Sequence, residues 1–421
     1  MRTRFDAAIV GAGPAGASLA ILLARAGWSV ALIERQRFPR RKVCGECVAA
    51  SNLALLDALG VGAAFAARAG GELRRVALLR GGASIVARLP AAPGAYRWGR
   101  ALGRDHLDTL LADAAEAAGA TRLQPWSLQS IRGTAGDFSL RVLPEASVGA
   151  DGEIELRAAL VVAAHGSWQP LPAERAQVRE RRSAADLFAF KANFRGATLA
   201  ADLLPVLAFD GGYGGMVVAD DGLLTLAGCL RADRLQRLRA ERPGARAGDA
   251  FEAMLREQCG GVARALAGAA RDGAWLASGP LRPGIRVARA DTVFRIGNAA
   301  GEAHPIVGEG ISMALQSAFV LAALIGSERA ALTGTASAAT AQRKALGAHA
   351  ALWRRRFARR LAVASTFAHL AMRPALAGAA FPLLRRWPEI LTLGARLSDK
   401  TLAVPEAAAW SPLPLAGRGL G

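Results

Sequence analysis

The sequence predicts an α/β fold: a buried, largely parallel sheet at the N-terminal end, an inserted antiparallel sheet, and a helical C-terminal region. Three observations predict it. A strand, glycine turn, helix and second strand open the chain. Stretches of alternating hydrophobicity bounded by turn residues recur between residues 73 and 230, and from Thr340 onward the pattern is helical.

The opening unit can be read residue by residue. Ala7-Ala-Ile-Val10 is the short apolar run of a strand buried on both faces. It enters Gly11-Ala-Gly13-Pro14-Ala15-Gly16. Gly11 permits the tight turn, Gly13 lets the backbone approach a pyrophosphate, and Gly16 lets the helix pack closely on the sheet. Pro14 suits the first helical turn, where its missing N–H removes nothing. The Ala/Leu-rich helix runs to about Ala26, and Gly27 stops it. Free N–H groups at its start, with the helix dipole, form an anion site. Trp28 to Ile33 is the second strand. Glu34 at its end stands where a carboxylate accepts both hydroxyls of an adenosine ribose and repels a phosphate there, so the bound nucleotide is expected to be FAD or NAD rather than NADP.

Further along, Leu73–Arg80 and Ala83–Leu89 read as a hairpin around Gly81-Gly82. Phe188–Phe194 alternates apolar with polar residues, as a sheet with one wet face should. Tyr213–Val218 and Leu223–Leu230 are strands joined by Asp220-Asp221-Gly222, and Asp249–Leu266 reads as one helix. Thr292–Ile296 is a strand, followed by a turn at Gly297-Asn298, a loop through Gly301, Pro305 and Gly308, and a helix from about Gly310-Ile311. Backbone N–H groups therefore meet at a helix N-terminus a second time.

In the C-terminal region, Trp353–Leu361 mixes aromatic and basic residues, and Phe367, Met372, Leu376, Phe381, Leu384 and Trp387 continue an apolar theme beside Arg385 and Arg386. Two readings stand: a surface that rests on anionic lipid or collects a greasy substrate, and a helical cap whose arginines are solvated. The Pro/Gly/Ala-rich tail after Pro405 is expected to be loose.

A chain of 421 residues holds two subdomains, and 52% apolar content argues for an ordered globular protein. Neither of the longest apolar stretches, Met313–Ile325 and His369–Leu384, is long and unbroken enough to span a bilayer. Arg2 and Arg4 before an apolar stretch suggest a signal peptide, but that stretch is the nucleotide unit itself, so export is rejected. Four cysteines suit a reducing cytoplasm. Cys44-Gly-Glu-Cys47 allows a thiol–disulfide reading, and no metal-ligand spacing is visible. The net charge of +19 raises nucleic acid or membrane as partners, yet the chain has no nucleic-acid-binding module. Residues 341 to 400 carry twelve Arg/Lys against two acids, more than half of the excess.

With these residues in view, the segment Gly297-Asn298-Ala-Ala-Gly301…Pro305…Gly308-Glu-Gly310 resembles one found in the flavoprotein family of p-hydroxybenzoate-hydroxylase-like monooxygenases, geranylgeranyl reductases and flavin-dependent halogenases. Arg104-Asp-His-Leu-Asp108 is similar to the family's R-x-x-L-D segment. Lys42-Val-Cys44-Gly45-Glu46 is similar to the K-x-C-G-E form of its reductase-like branch, which includes polyketide- and phenolic-lipid-tailoring enzymes. The resemblance covers roughly residues 5 to 325. It implies a discontinuous Rossmann-like FAD-binding domain (1–70, 97–170 and 280–330), a substrate domain (71–96 and 171–279) whose sheet roofs the flavin, and a helical cap with tail over 331–421. It implies FAD contacts from Gly11, Gly13, Pro14, Ala15, Gly16, Glu34, Arg35, Lys42, Cys44, Gly45 and Arg104, and from Gly297, Asn298, Gly301, Pro305, Gly308, Gly310 and Ile311. Two departures stand out. Asn298 replaces the usual aspartate of its motif. His165, in Val161-Val-Ala-Ala-His165-Gly166-Ser167, replaces the aspartate of a D-G pair, which puts direct NADPH use in question and admits a separate reductase or ferredoxin-type donor.

The resemblance leaves two enzyme readings open. One is monooxygenation of a phenolic or other aromatic hydrophobic molecule with reduced FAD and oxygen; the other is reduction of a prenyl or similar alkene. Halogenation ranks lower, because the W-x-W-x-I-P signature is absent. A non-catalytic electron-transfer flavoprotein is a third possibility, against which the long inserted sheet argues. Candidate acid/base groups are His304 and Tyr213, with Glu46 and Glu309 as others if buried.

Overall fold

The computed structural model describes residues 3–145, 152–167, 171–172, 183–334 and 338–397; the tail expected after Pro405 lies outside them. The first stretch of chain contains β1 (Arg4–Val10), α1 (Pro14–Arg25), β2 (Val30–Ile33), β3 (Cys47–Val48), α2 (Leu53–Ala58), α3 (Gly62–Arg68), β4 (Arg75–Arg80), β5 (Ala83–Arg88) and β6 (Arg100–Ala101). There follow α4 (Arg104–Ala117), β7 (Thr121–Leu123), β8 (Trp126–Thr134), β9 (Asp137–Pro144), β10 (Ile154–Ala163), β11 (Leu187–Arg195), β12 (Leu203–Phe209), β13 (Gly212–Val218) and β14 (Leu224–Arg231). The last part holds α5 (Ala232–Glu241), α6 (Ala247–Gln258), α7 (Gly260–Ala265), β15 (Ala270–Arg271), β16 (Leu276–Leu281), β17 (Gly284–Ile285), β18 (Phe294–Arg295) and β19 (Gly301–Glu302). Five helices follow: α8 (Gly310–Ile325), α9 (Arg329–Thr333), α10 (Ala338–Ala371), α11 (Pro374–Arg386) and α12 (Glu389–Leu397).

The first sheet has the order β7-β2-β1-β10-β9-β8, with β18 also beside β10. β1 runs parallel to both β2 and β10, so Ile9 lies between Leu32 and Val162. Both faces of this centre are covered, which is why its strands are uninterrupted apolar runs. Ala7, Ile9, Leu32 and Leu160 pack in one core with α1, α4 and α8. Phe5, Ala8 and Val161 pack on the other side with Leu128, Phe138 and Leu140. α8 is apolar all round and almost entirely buried, as a helix inside a core should be.

The second sheet, β15-β11-β14-β13-β12-β4-β5 with β16 beside β11, is antiparallel apart from the β12–β4 pair. One face lies under α5–α7, where the Phe190 and Phe251 rings stack at 5.0 Å. The wet face expected for Phe188–Phe194 is not found. Lys191 and Asn193 are buried, because that side of β11 is pressed against the first domain rather than water. The single helix expected over Asp249–Leu266 is broken at Cys259, whose backbone is extended (φ −133°, ψ 99°). There the Gly260 N–H bonds the Gly81 carbonyl at 2.9 Å, and a β-carbon on Gly261 would come 2.5 Å from Leu79. The break lets the chain press onto the β4–β5 hairpin.

α10, 34 residues long, carries Trp353 and Phe357 into a core with Val287 and Met313, and Ala368 into another with Tyr213 and Cys229. At its end the chain turns by 101° into α11. Among the described residues no single helix is long and apolar enough to cross a membrane.

At Gly16 a β-carbon would lie 1.8 Å from the Gly11 carbonyl oxygen, a backbone atom that cannot swing aside. Gly16→Ala should therefore force α1 off the sheet and destabilise the protein by about 3 kcal/mol, read as a lowered midpoint in chemical denaturation.

Candidate flavin site and its roof

The carboxyl ends of β1 and β2 open into a cleft of about 790 Å³, lined by Gly11, Gly13, Glu34, Arg35, Arg40, Arg41, Lys42, Trp126 and His165 among others. This is where ligands bind in open α/β sheets. Gly11 has φ +108°, and a β-carbon there would strike the Ala164 carbonyl at 2.6 Å. Gly13 caps α1, with Pro14 in its first turn and Ala15 and Gly16 buried behind it. A β-carbon on Gly13 would meet only Arg104, at 3.6 Å, so the protein itself leaves that position open to a close neighbour. The Glu34 carboxylate accepts the Ala12 N–H at 2.9 Å and the Gln36 N–H at 2.8 Å, which fixes the turn while keeping the group at the cleft wall. The cleft-wall residue Arg35 pairs with Glu145 at 2.9 Å.

Cations gather at this end. Arg104, at the start of α4, holds Asp108 through two bonds of 2.6 and 2.7 Å, both groups being buried. The Lys42 ammonium is pushed down to about 8, first by burial and then by the charges of Arg104 and Arg40. Basic side chains, a helix N-terminus and a glycine open to close approach form a donor set suited to a diphosphate.

The loop from Lys42 through Cys44 and Gly45 ends at Glu46, a non-glycine residue in the left-handed region (φ +59°). Its buried carboxylate accepts from the Lys191 ammonium and the Thr225 hydroxyl of the second sheet, and from the Arg104 N–H at 3.1 Å. Asn193 donates to Thr225 Oγ1 at 2.7 Å and extends the network. Arg41 makes a second tie, to the carbonyl of Asp272 at 2.6 Å and its carboxylate at 2.9 Å.

The second glycine turn meets the first. Gly297 (φ +56°) would place a β-carbon 2.9 Å from that of Ala15, and its N–H bonds Ser317 Oγ at 2.8 Å. Asn298 directs its amide N–H to Ser167 Oγ at 2.9 Å, and the Glu302 carboxylate accepts from Ser167 at 2.6 Å and from Arg286 at 3.0 Å. The negative charge that Asn298 lacks is thus carried by Glu302 nearby. Gly301 lies under Trp353, where a β-carbon would come 2.4 Å from the ring. The loop then passes Pro305 and the left-handed Gly308 before α8 begins at Gly310, with Ile311 buried. Glu309, also buried, stands 3.9 Å from Arg360.

His304, at the start of that loop, meets Tyr213 of β13: its Nδ1 lies 3.2 Å from the phenol oxygen, and both residues are buried. Burial first, and then the nearby His369, pushes the imidazole down to about 4, so it is neutral in ordinary buffers. Burial also pushes the Tyr213 phenol well above its usual range, and the Cys229 thiol up to about 12. The two shifts keep the proton on the Tyr213 oxygen, with Nδ1 as its hydrogen-bond neighbour.

Two residues 91 positions apart that residue type alone marked as acid/base candidates are therefore partners. Lys191, Thr225 and His369 escaped notice. A lysine between Phe190 and Ala192 was the signal for the first of these, since a charge inside an apolar strand needs a partner when both faces are covered.

Residues 4–203 match the family described as FAD binding domain. That match covers a little under half of the chain, and over it the chain is similar to the p-hydroxybenzoate-hydroxylase-like flavin monooxygenases. Among curated relatives, the menaquinone reductase of Mycolicibacterium smegmatis is 44% identical over 61 residues (14% of this chain, 15% of the relative). The 6-methylpretetramide 4-monooxygenase of Streptomyces rimosus is 50% identical over 56 residues (13% of each), and the kynurenine 3-monooxygenase of Xanthomonas oryzae pv. oryzae is 37% identical over 122 residues (27% of this chain, 26% of the relative). The matches span between 11% and 28% of the length of these and similar relatives. Over nearly the whole chain the fold is shared with a myxobacterial chondrochloren halogenase (TM-score 0.70, 18% identity, 96% of this chain and 99% of that one). It is shared equally with a flavin-dependent brominase (TM-score 0.72, 17% identity, 97% of both).

Two measurements check this site. Lys42 has a folded-state value below its unfolded one, so above about pH 8 the nucleotide-free protein loses the ammonium that a diphosphate would hold. FAD affinity should fall as pH rises from 8 to 10, and Lys42→Met should bind weakly with no such slope, measured by fluorescence titration. Lys191→Met leaves the buried Glu46 charge without its cation and should cost about 3–5 kcal/mol, whereas Lys191→Met with Glu46→Gln should recover much of the loss in the same denaturation experiment.

Proposed function

We propose that the protein is an FAD-dependent monooxygenase that hydroxylates or oxidises an aromatic, phenolic hydrophobic small molecule. The observation that carries this reading is the buried Tyr213–His304 pair, at the seam between the loop of the second glycine turn and the inserted sheet. FAD fits the residues present. The Gly11–Gly16 turn, Lys42 and Arg104 would hold its diphosphate, Glu34 its ribose, and the Gly297–Gly310 segment the remainder. Reduced FAD with dioxygen supplies the oxygen-transfer chemistry.

The chain's own residues supply position and protons. The Glu46–Lys191 and Arg41–Asp272 ties hold the roof against the flavin domain and keep water out. Tyr213, which keeps its proton far into alkali, orients the substrate, and a neutral His304 holds that phenol in place through the hydrogen bond at Nδ1. Electrons would come from NAD(P)H or from a separate reductase protein. His165 at the cleft wall, in place of a carboxylate, favours the second donor. A content of four cysteines fits a reducing cytoplasm.

The relatives named menaquinone reductase favour a reductase as the second reading; for this chain that would be reduction of a prenyl or other alkene double bond, with Tyr213 as the proton donor. The extensive roof argues against a bare electron carrier.

Anaerobic reduction followed by oxygen separates these. The purified yellow protein should be reduced faster when an alkylphenol is added, and oxygen should then yield hydroxylated product. Reduction only by a ferredoxin-type donor, with turnover of an alkene and no oxygen demand, would replace the first reading by the second. His304→Asn and Tyr213→Phe should each lower kcat/KM by about 10²–10⁴-fold while leaving the flavin spectrum intact. In the wild-type pH profile the acid limb should fall near 4 rather than 6.5.

A further inference from the structure

The flavin site makes no use of the surface formed by α11 and α12. Of eight large apolar side chains exposed among the described residues, seven fall between Leu370 and Leu397. Leu376, Leu383 and Trp387 recur at intervals of seven and four, and Ile390, Leu393 and Leu397 at three and four, which places each set along one side of its helix. Neither α11 nor α12 buries a residue fully. Both are nevertheless anchored on their inner sides: Arg80 donates to the Pro374 carbonyl at 3.0 Å, Thr392 to the Arg88 carbonyl at 2.7 Å, and Gly394 lies against the Phe367 ring. An apolar ridge held in place and facing water is unfavourable in proportion to the area it exposes, and its extent marks an interaction surface.

Charge identifies the occupant. Arg373, Arg385, Arg386 and Arg396 are exposed around the ridge, against Glu389 as the one acid between Leu370 and Leu397. Arg386 lies over the Trp387 ring at 5.6 Å. Leucines flanked by arginine and tryptophan complement acyl chains below and anionic headgroups above. The segment lies along such a surface rather than across it, since α10 and α11 meet at 101° and no single described helix is long and apolar enough to span. Where they meet, a pocket of about 330 Å³ is lined by Ser365, Thr366, His369, Leu370, Arg373 and Leu376. Leu370 and Leu376 belong to both pocket and ridge, and the His369 ring is 5.6 Å from that of His304.

We propose that α11 and α12 dock the protein onto an anionic lipid bilayer surface, with the pocket beside Leu370 and Leu376 opening at the acyl-chain boundary. The docking stands independently of the reaction; that the pocket admits a lipophilic substrate from the bilayer rests on the flavoenzyme reading above.

The test is sedimentation of the full-length, FAD-loaded protein with vesicles of phosphatidylcholine alone or mixed with phosphatidylglycerol. Binding to the mixed vesicles should be about tenfold or more tighter and should weaken in about 0.5 M salt. A Leu383→Ser, Trp387→Ser, Leu393→Ser variant should lose binding while keeping its flavin absorbance and melting temperature. Arg385→Gln with Arg386→Gln should lose the preference for phosphatidylglycerol alone. Failure to sediment with either vesicle, or triple-variant binding equal to wild type, would overturn the proposal. So would a concentration-dependent dimer that the triple variant abolishes, which would assign the ridge to a second copy of the chain. Since sedimentation needs no turnover, a failed reaction assay leaves this result standing.

Discussion

Glu46 takes the ammonium of Lys191 in the protein interior, from a left-handed backbone position at the end of the loop that carries Lys42 and Cys44. The loop belongs to the nucleotide side of the molecule and the lysine to the second sheet, so this ion pair sets how far the roof stands from the cleft. Two buried charges are costly to remove from water, and the cost is offset only where every remaining lone pair is also satisfied. Thr225, Asn193 and the Arg104 N–H do this. Arg104 also holds Asp108 and lies beside Gly13, so contacts connect the second sheet, the cation cluster and the glycine turn.

The cleft is poised for an anion in an electrostatic sense. Lys42 holds its proton weakly because it is buried and because Arg104 and Arg40 lie close to it, while Glu34 accepts two backbone N–H groups and stands 3.7 Å from Arg40. A diphosphate in their midst would relieve the repulsion among them, so binding energy comes partly from charges the fold has already gathered. At the opposite end the environment is reversed. Burial keeps His304 neutral and Tyr213 protonated, so this end presents hydrogen-bonding groups without net charge.

α10 joins these ends to the C-terminal surface. It packs Trp353 over Gly301 of the second glycine turn and brings Ala368 beside Tyr213, so one helix connects the second glycine turn with the second sheet. The ridge on α11 and α12 is held to the β4–β5 hairpin of the same roof.

The N-terminal unit was legible in the sequence almost residue by residue, because its constraints are local. A turn at Gly11, a close approach at Gly16, apolar strands on either side and a carboxylate at Glu34 all follow from spacing within about 30 positions. The hairpin around Gly81-Gly82 and the turn at Asp220–Gly222 were legible for the same reason. Tertiary structure alone decided which polar residues face water. The alternation in β11 predicted a wet face, yet Lys191 and Asn193 are covered by a loop about 145 residues earlier in the chain. Likewise, residue type marked His304 and Tyr213 separately, but their hydrogen bond depends on a loop and a strand brought together from different sheets. The break at Cys259 reflects packing on a distant hairpin, which no local propensity encodes. Periodicity records how a segment arranges its own side chains; what lies opposite them is settled only when the rest of the chain has folded.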